Sequence, residues 1–529
     1  MRRAYDSSKK IRIQEKMKKI RQCETENEEN EDKLSDLPEC VILHILSFLD
    51  SKHAVQTCVL STRWKHLWAR IPTLILHSSN FSTVKKFAIF VSNILTLRNS
   101  STSLQALNLD RRGDIEPQLL KKILNYICSH NTHLHELGIS LRGGSGFILN
   151  CVSSCHALTS LKLSLPPRGG HYYFTSEETL FPKSLNLPLL TNLDLANLVF
   201  CGGESGCADP FLAFPKLNSL GIRCCKIKDA QILNISSETL VNLAIHYPLE
   251  KMKLSYHDTS SKFAKIELST PSLCTFTFIG SLIQKICGSG LSSVKQVNID
   301  DSHQLYASAG NGLILLSWLL DFANVESFRV TSTTLQILSI VPDLSKVKLH
   351  SLCNLKSLVI EMIPFHDGSS SRSIVDALLK KDAAMSSKEV AKLRKTFKAR
   401  LEPPAIPNGI VDFLRQNSPS AEVNIFTDYS DCFNLKQVVE SIKGAKIISY
   451  RSKLATSAPS SAPPASAAEY APPTAPASAS MPASAAVPTS AAPPKLHFYC
   501  AEKDDKSSAE DKKEKHQSNT DSPLLDNGQ

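Results

Sequence analysis

Between residues 103 and 361, apolar and polar residues repeat in a short pattern, L-x-x-L-x-L, with Val, Ile or Phe replacing Leu in some copies. Alternating apolar positions indicate a short β-strand with one buried face. Successive copies begin 21 to 33 residues apart. The ten copies are SLQALNLD (103–110), HLHELGISL (133–141), ALTSLKLSL (157–165), LLTNLDLANL (189–198), KLNSLGIRCC (216–225), TLVNLAIHY (239–247), SLCTFTFIG (272–280), SVKQVNID (293–300), NVESFRV (324–330) and NLKSLVIE (354–361).

One strand motif recurring at this interval is typical of a leucine-rich-repeat solenoid, in which each strand packs parallel to the previous one. A β-sandwich also contains many strands, but it does not place the same leucine pair in each. We therefore predict an α/β fold with a right-handed solenoid over residues 76–365, whose parallel strands are connected by helices or loops. The unequal repeat lengths predict loops of different size, such as 166–186 and 199–215, which are suited to binding.

A helical pattern precedes the repeats, in residues 32–75, and predicts a small all-helical domain. Its first helix is indicated by apolar residues at intervals of three and four, namely Val41, Ile42, Ile45, Leu46 and Leu49. Ser35 or Asp36 is the predicted cap of this helix, with Pro38 in the first turn and Glu39 completing a capping box. Asp50 or Ser51 is the predicted cap of a second short helix, and Ser61 that of a third.

The third predicted helix contains VLSTRWKHLW (59–68), with two of the three tryptophans of the chain. At helical spacing one apolar stripe forms, and the cations Arg63, Lys65, His66 and Arg70 lie mostly away from it. A nucleic-acid site would need cations and aromatic rings on the same exposed face. So small a domain can hardly enclose both indoles, and partly exposed tryptophans beside leucines are typical of a protein-docking surface. The stripe is Leu60, Trp64, Leu67, Trp68 and Ile71.

Beyond residue 365 the pattern changes to a helical, charged extension at 366–450. SSKEVAKLRKTFKARLEP predicts a helix with one apolar face, followed by a short helix, IVDFLRQN, and a strand-like AEVNIF. The apolar face is Val390, Leu393, Phe397 and Leu401. Residues 451–529 are an Ala/Pro/Ser-rich linker and a charged tail, and this composition predicts disorder.

The first 31 residues are also expected to be a disordered arm, because they are basic at first and then acidic. Residues 1–22 hold nine Lys or Arg and two acids, and residues 23–32 hold six acids. Either the basic cluster is simply solvated or it is a nuclear-import signal. Without a signal peptide or an apolar span of about 18 residues, we expect the nucleus and/or cytoplasm and no membrane contact. The 15 cysteines should then be thiols, mostly small buried hydrophobes.

Motifs of catalysis and of cofactor binding are not found in the sequence. The glycine groups lack the lysine of a phosphate loop, and no nucleophile stands near a base in a known spacing. His130, His133 and His135 are close together, but no fourth ligand follows, and the cysteines form no CxxC pair. We therefore expect no metal, no cofactor and no catalytic activity of the chain itself.

Residues 34–72 resemble an F-box, through Leu37-Pro38, VILHILSFL, VLSTRW, HLW and Pro72. One departure is Asp50, where proline is more common in the family. With the repeats and the segment from NLKSLVIEM to NIF, residues 32–430 are similar to the plant F-box/leucine-rich-repeat proteins with an FBD-like region. The Ala/Pro/Ser-rich tail is not part of this resemblance.

The resemblance implies the substrate receptor of an SCF-type cullin-RING ubiquitin ligase. The F-box would bind a Skp-type adaptor, and the repeats would hold a target protein for ubiquitination. Two other functions remain open: a leucine-rich-repeat scaffold acting outside ubiquitination, and, less favoured, a nucleic-acid binder that uses the basic arm. The adaptor-binding residues implied are Leu37, Pro38, Ile42, Ile45, Leu46, Val59, Leu60, Trp64, Leu67 and Trp68.

Overall fold

A computed structural model of the chain describes residues 37–449, except 99–101, 167–177, 248–264, 283, 302–308, most of 364–408, and 428–445. All of them lie in one compact unit, Met1–Pro459. Several expectations lie outside the described residues: the disordered ends at 1–31 and 451–529, the caps Ser35 and Asp36, and the helix face from Val390 to Leu401.

In the described part of the chain, the main sheet has thirteen parallel strands that follow one another in chain order. Ten of them coincide with the ten sequence copies, so the predicted repeats are confirmed. Leu107 lies beside Leu137, and Leu137 beside Leu161, because equivalent leucines of successive repeats stack in the register of the sheet. The strands are Thr73–His77, Ala106–Asp114, Glu136–Arg142, Ser160–Ser164, Asn192–Ala196, Ser219–Arg223, Asn242–Tyr247, Thr275–Gly280, Gln296–Asp300, Ser327–Thr331, Ser357–Glu361, Glu422–Thr427 and Lys446–Ser449.

A second layer covers the buried face of this sheet, and its composition changes along the chain. Helices form it at both ends of the solenoid: Val84–Leu97, Pro117–Ser129, Ser145–Ser153, Ala309–Asp321, Ser332–Ser339 and Ile410–Asn417. Between them, where helices or loops were expected, short strands form two small parallel sheets. These are Cys207–Ala208, Ile232–Ser236, Lys265–Ser269 and Lys285–Cys287 in one sheet, and Val199–Cys201 and Lys226–Lys228 in the other. Short 3-10 helices lie at Ser78–Asn80, Ser289–Ser293, Leu344–Lys346 and His350–Leu352.

The sheet crosses both predicted limits of the solenoid, residues 76 and 365. Strand Thr73–His77 begins it inside the range given to the helical domain. At the other end Glu422–Thr427 pairs in parallel with Ser357–Glu361, so the predicted AEVNIF strand continues the sheet. The IVDFLRQN helix is confirmed at Ile410–Asn417.

The N-terminal domain has the helices Glu39–Ser47 and Ser51–Gln56 and the 3-10 helices Thr57–Val59 and Trp64–Arg70. Asp50 caps the second helix as predicted, since its carboxylate accepts hydrogen bonds from the Lys52 and His53 N–H groups. Pro38 is the N-cap of the first helix and lies just before its first turn. The predicted third α-helix is wrong: the chain forms a 3-10 helix that begins at Trp64, after the N-cap Arg63.

Candidate protein-docking surfaces

The N-terminal domain has a small core of its own, formed by Ile42, Leu46, Ala54, Trp64, Leu67 and Ile71. Trp64 is only 5% exposed, so the expectation that both indoles remain partly outside is wrong for this residue. In a 3-10 helix residues three apart share one side, which directs Trp64 and Leu67 together into the core. Leu60 precedes this helix and is not part of the buried stripe.

Trp68 lies at the junction between the N-terminal domain and the solenoid. Its half-buried side chain packs against the core of each. Arg98, 5% exposed, strengthens the same junction. Its Nη2 donates to the Ile71 carbonyl at 2.7 Å, and its Nη1 donates to the Tyr126 hydroxyl at 2.7 Å. Charged hydrogen bonds of this kind are stronger than neutral ones, so they stabilise the contact between the two parts.

The cations between Val59 and Arg70 serve partly to hold this domain together. The Arg63 guanidinium donates to the Leu37 carbonyl, and Arg70 pairs with Glu39. Arg63 and Arg70 therefore link the last helix of the domain to the start of its first helix.

Asp50 accepts hydrogen bonds from the His53 side chain and from backbone N–H groups. Partial burial acts to raise the pKa of Asp50, but these hydrogen bonds outweigh it and lower the pKa.

Among the described residues of this domain, six large apolar side chains are exposed, and we call them the exposed apolar group. Four follow one another at helical spacing at and just after the first helix, and two belong to the segment around Thr57–Val59. Phe48, Val59 and Leu60 are 72%, 77% and 62% exposed. Exposed apolar side chains concentrated in one small domain indicate a docking surface for another protein. The group consists of Val41, Ile45, Phe48, Leu49, Val59 and Leu60.

The ten residues predicted for adaptor contact separate into three classes in the structure. Pro38, Ile45, Val59 and Leu60 are exposed, and Leu37 and Trp68 are half-buried. Ile42, Leu46, Trp64 and Leu67 form the core, where they support the surface from below. Phe48 was missed, because the sequence pattern gives no sign that this aromatic residue at the helix end points outward.

The second candidate surface is the open face of the main sheet, on the side away from the helices. Here a cleft of about 560 Å³ crosses strands from Thr73–His77 to Asn242–Tyr247. Small side chains such as Ser140, Ser164 and Ala196 line it together with Lys162, Arg223 and His246. Such a concave, polar site on a rigid sheet can hold a segment of another molecule.

The charges of the cleft are organised by Asp194, which lies beside it. Arg223 Nη2 donates to Asp194 Oδ2 at 2.8 Å, and Lys162 Nζ lies 3.7 Å from the same oxygen. Gly221 is next to Asp194 in the register, and a Cβ on it would come within 3.1 Å of Asp194 Oδ1. Glycine there leaves room for the carboxylate between its two cations.

His246 completes this row of polar side chains, and its surroundings favour the neutral form of the imidazole. Burial lowers the pKa of His246 below its usual value, and the Arg223 charge lowers it further. At the same rim Asn197 and Cys224 have left-handed backbone, with φ of 61° and 51°. This bend brings the Cys224 N–H to the His246 carbonyl at 3.0 Å.

The three neighbouring histidines and the described cysteines of the chain lie in different surroundings. His133 and His135 are exposed ahead of strand Glu136–Arg142, and His130 contacts the Tyr126 ring. Among the described residues no group of three or more His, Cys, Asp or Glu could hold a metal, and no helix there is long and apolar enough to cross a membrane.

The described cysteines are free thiols, but only Cys151, Cys155 and Cys225 are buried, so the expectation of mostly buried cysteines is wrong.

Comparison with known proteins places an F-box domain at residues 34–75. A putative FBD-associated F-box protein of Arabidopsis thaliana is 26% identical over 343 residues, 63% of this chain and 69% of the relative. F-box/LRR-repeat protein 13 of Arabidopsis thaliana is 25% identical over 58% of this chain and 66% of its own length, just under two thirds. Another F-box/LRR-repeat protein of that plant is 26% identical over 63% of this chain and 85% of the relative.

Proposed function

Because the chain belongs to the plant F-box/leucine-rich-repeat family with FBD-like members, we propose that it is the substrate receptor of an SCF-type cullin-RING ubiquitin ligase. In this role the F-box binds a Skp-type adaptor, and the solenoid binds the target protein. The chain is then a non-catalytic subunit, since the thioester chemistry belongs to other subunits of the ligase. We place it in the nucleus and/or cytoplasm, where the ubiquitin system works.

The observation that carries the adaptor proposal is the exposed apolar group of the F-box. Phe48, Val59 and Leu60 expose most of their side chains to water, while Trp64 is buried. Burial of apolar area at an interface is favourable by about 25 cal/mol per Å² before the entropy of association is subtracted. We therefore assign direct adaptor contact to the exposed members, and a supporting role to Ile42, Leu46, Trp64 and Leu67.

We assign target binding to the cleft on the open face of the sheet. Its Lys162, Arg223 and His246 and the neighbouring Asp194 offer donors and acceptors in fixed positions. The junction of Trp68 and Arg98 supports this assignment, because a receptor must hold its target at a constant position relative to the adaptor. Ubiquitin transfer is then accelerated by proximity, as the bound target lysine experiences a high effective concentration of the charged conjugating enzyme.

The test is capture of a purified Skp-type adaptor by the full chain carrying Val59→Asp and Leu60→Asp. Both side chains are exposed, so folding should be retained, while buried charges at the interface should lower adaptor affinity at least tenfold. The matched control is Leu212→Asp with Leu313→Asp, which places the same charges on exposed apolar residues of the solenoid. Equal capture by both double variants would refute the adaptor surface.

Target binding is tested separately, with the Arg223→Glu chain. Proteins that crosslink to the wild-type cleft in the presence of adaptor should be lost from this variant, and adaptor capture should be unchanged. Crosslinks that persist unchanged would exclude the cleft as the target site. Bound proteins that gain no ubiquitin from a reconstituted ligase would favour the alternative of a scaffold that acts outside ubiquitination.

A further inference from the structure

Three cysteines meet where two repeat helices pack together, and none of them belongs to either candidate docking surface. Cys128 is at the end of helix Pro117–Ser129, Cys151 is in helix Ser145–Ser153, and Cys155 follows that helix. The Cys128 and Cys151 sulfur atoms are 3.3 Å apart. Since an S–S bond is about 2.05 Å long, a shift of little more than 1 Å would allow the bond to form.

The two sulfur atoms differ in access to solvent. Cys128 is exposed, whereas Cys151 and Cys155 are buried. An oxidant dissolved in water therefore reaches Cys128 first, and Cys151 is protected from direct attack. An accessible thiol beside a second thiol is the arrangement of a redox-active cysteine and its resolving partner.

The third cysteine influences the protonation of the pair. A hydrogen bond from Cys151 to the Cys155 sulfur raises the pKa of Cys151 and lowers the pKa of Cys155. Cys155 also donates to the Cys151 carbonyl at 3.3 Å. The raised pKa favours the thiol form of Cys151, so its proton must leave as its sulfur reacts with Cys128.

We propose that Cys128 and Cys151 form a reversible oxidation site for which hydrogen peroxide is the oxidant. The Cys128 thiolate attacks peroxide, the O–O bond breaks, and sulfenic acid and hydroxide form. The Cys151 sulfur then attacks Cys128 Sγ, the S–O bond breaks, and hydroxide leaves with the Cys151 proton as water. Two thiols are oxidised to one disulfide while one peroxide is reduced to water, and a cellular thiol reductant reverses the change.

The disulfide would join two neighbouring repeats near the N-terminal end of the solenoid. It links residues 23 apart in the sequence and so restricts separation of the two helices. The strands of these repeats, Ala106–Asp114 and Glu136–Arg142, contribute Asp110 and Ser140 to the cleft. Oxidation would therefore restrict the relative motion of the two repeats that form one end of the cleft. This inference does not depend on whether the chain is a ligase subunit.

The experiment treats the full chain with hydrogen peroxide, blocks the remaining thiols, and digests it with trypsin under non-reducing conditions. Cleavage after Lys122, Arg142 and Lys162 separates Cys128, in peptide 123–142, from Cys151 and Cys155, in peptide 143–162. We expect these two peptides to be joined, and the link to disappear after reduction by dithiothreitol.

Variants identify the cysteines involved. Cys128→Ser should abolish the link, whereas Cys155→Ser should retain a link to Cys151. Cys353→Ser is the matched control, because Cys353 is also an exposed thiol, and it should leave the link unchanged. Oxidation of Cys128 to sulfinic acid without a link, or a bond within peptide 143–162 in its place, would overturn the proposal.

Discussion

The F-box and the solenoid bury their apolar residues to different degrees. The F-box has a core of six residues and leaves Phe48, Val59 and Leu60 largely exposed. The solenoid stacks leucines of successive strands into a continuous core, and its open face carries ion pairs such as Arg223 with Asp194. The small domain thus exposes its apolar side chains within one short segment, whereas those of the solenoid, such as Phe147, Leu212 and Leu313, are spread over distant repeats.

The largest difference should appear when one tryptophan is truncated in each region. Trp64→Ala and Trp318→Ala each remove a buried indole, and such truncations cost about 3 to 5 kcal/mol. The six-residue core is too small to remain folded after this loss of stability, so Trp64→Ala should unfold the F-box and leave the solenoid folded. Hydrogen exchange of the full chain measures this as lost protection in residues 39–71 only.

Trp318→Ala should act differently, because Trp318 packs against Phe276 and Phe278 within a continuous core. Protection should fall across several repeats around strand Thr275–Gly280, while adaptor capture by the F-box remains. Loss of solenoid protection in the Trp64→Ala chain would contradict the separation of the two cores.

A smaller effect is expected at the junction, from Trp68→Ala. This half-buried ring touches both cores, and its truncation should cost about 2 kcal/mol. The F-box and the solenoid should each remain folded, with faster hydrogen exchange at Ile71 and near Arg98. Adaptor capture should persist, but ubiquitin transfer to a bound target should slow, since the F-box and the solenoid no longer keep a fixed orientation relative to each other. An unchanged rate of ubiquitin transfer would show that the junction is not needed to hold the target in position relative to the adaptor.

A last effect concerns the pH dependence of the solenoid. Complete burial raises the pKa of Asp301 well above its usual value, and the Asp300 charge adds to this. An unfolded Asp loses its proton near pH 3.9, whereas folded Asp301 retains it to higher pH. Unfolding free energy should therefore decline above about pH 4, by at most about 1.4 kcal/mol per pH unit, until the folded pKa is passed.

Asp301→Asn removes this titration while nearly conserving the shape of the side chain. Urea unfolding between pH 4 and pH 8 should show a shallower pH slope for the variant, and greater stability than wild type at the upper end. An identical slope in both proteins would show that Asp301 is not the group responsible.

Most of the solenoid could be predicted from the sequence, because its pattern is local and repeated. Each L-x-x-L-x-L copy places its leucines on one strand face, and ten copies reinforce one another. The Asp50 cap was found for the same reason, as the capping interaction spans only three residues. The strands that replace helices in the second layer could not be predicted, because Cys207–Ala208 and Lys226–Lys228 are too short to show a period.

The F-box site shows where sequence reasoning fails. Leu60, Trp64, Leu67 and Trp68 fit an α-helical stripe, but a 3-10 helix begins only at Trp64, which leaves Leu60 exposed and buries Trp64. Helix type depends on packing against the first helix, which the stripe does not encode. The cleft was missed because its residues occupy the variable positions between the leucines, and only the sheet register brings Lys162 beside Asp194.

The most direct test of the account is a hydrogen-exchange footprint of the full chain with and without a purified Skp-type adaptor. We expect added protection in residues 41–49 and 57–60, which carry the exposed apolar group. The Trp64–Arg70 helix, whose Trp64 and Leu67 are already buried, and the open face of the sheet should change little. Added protection confined to residues 63–71 or to the solenoid strands, with none in residues 41–49, would contradict it.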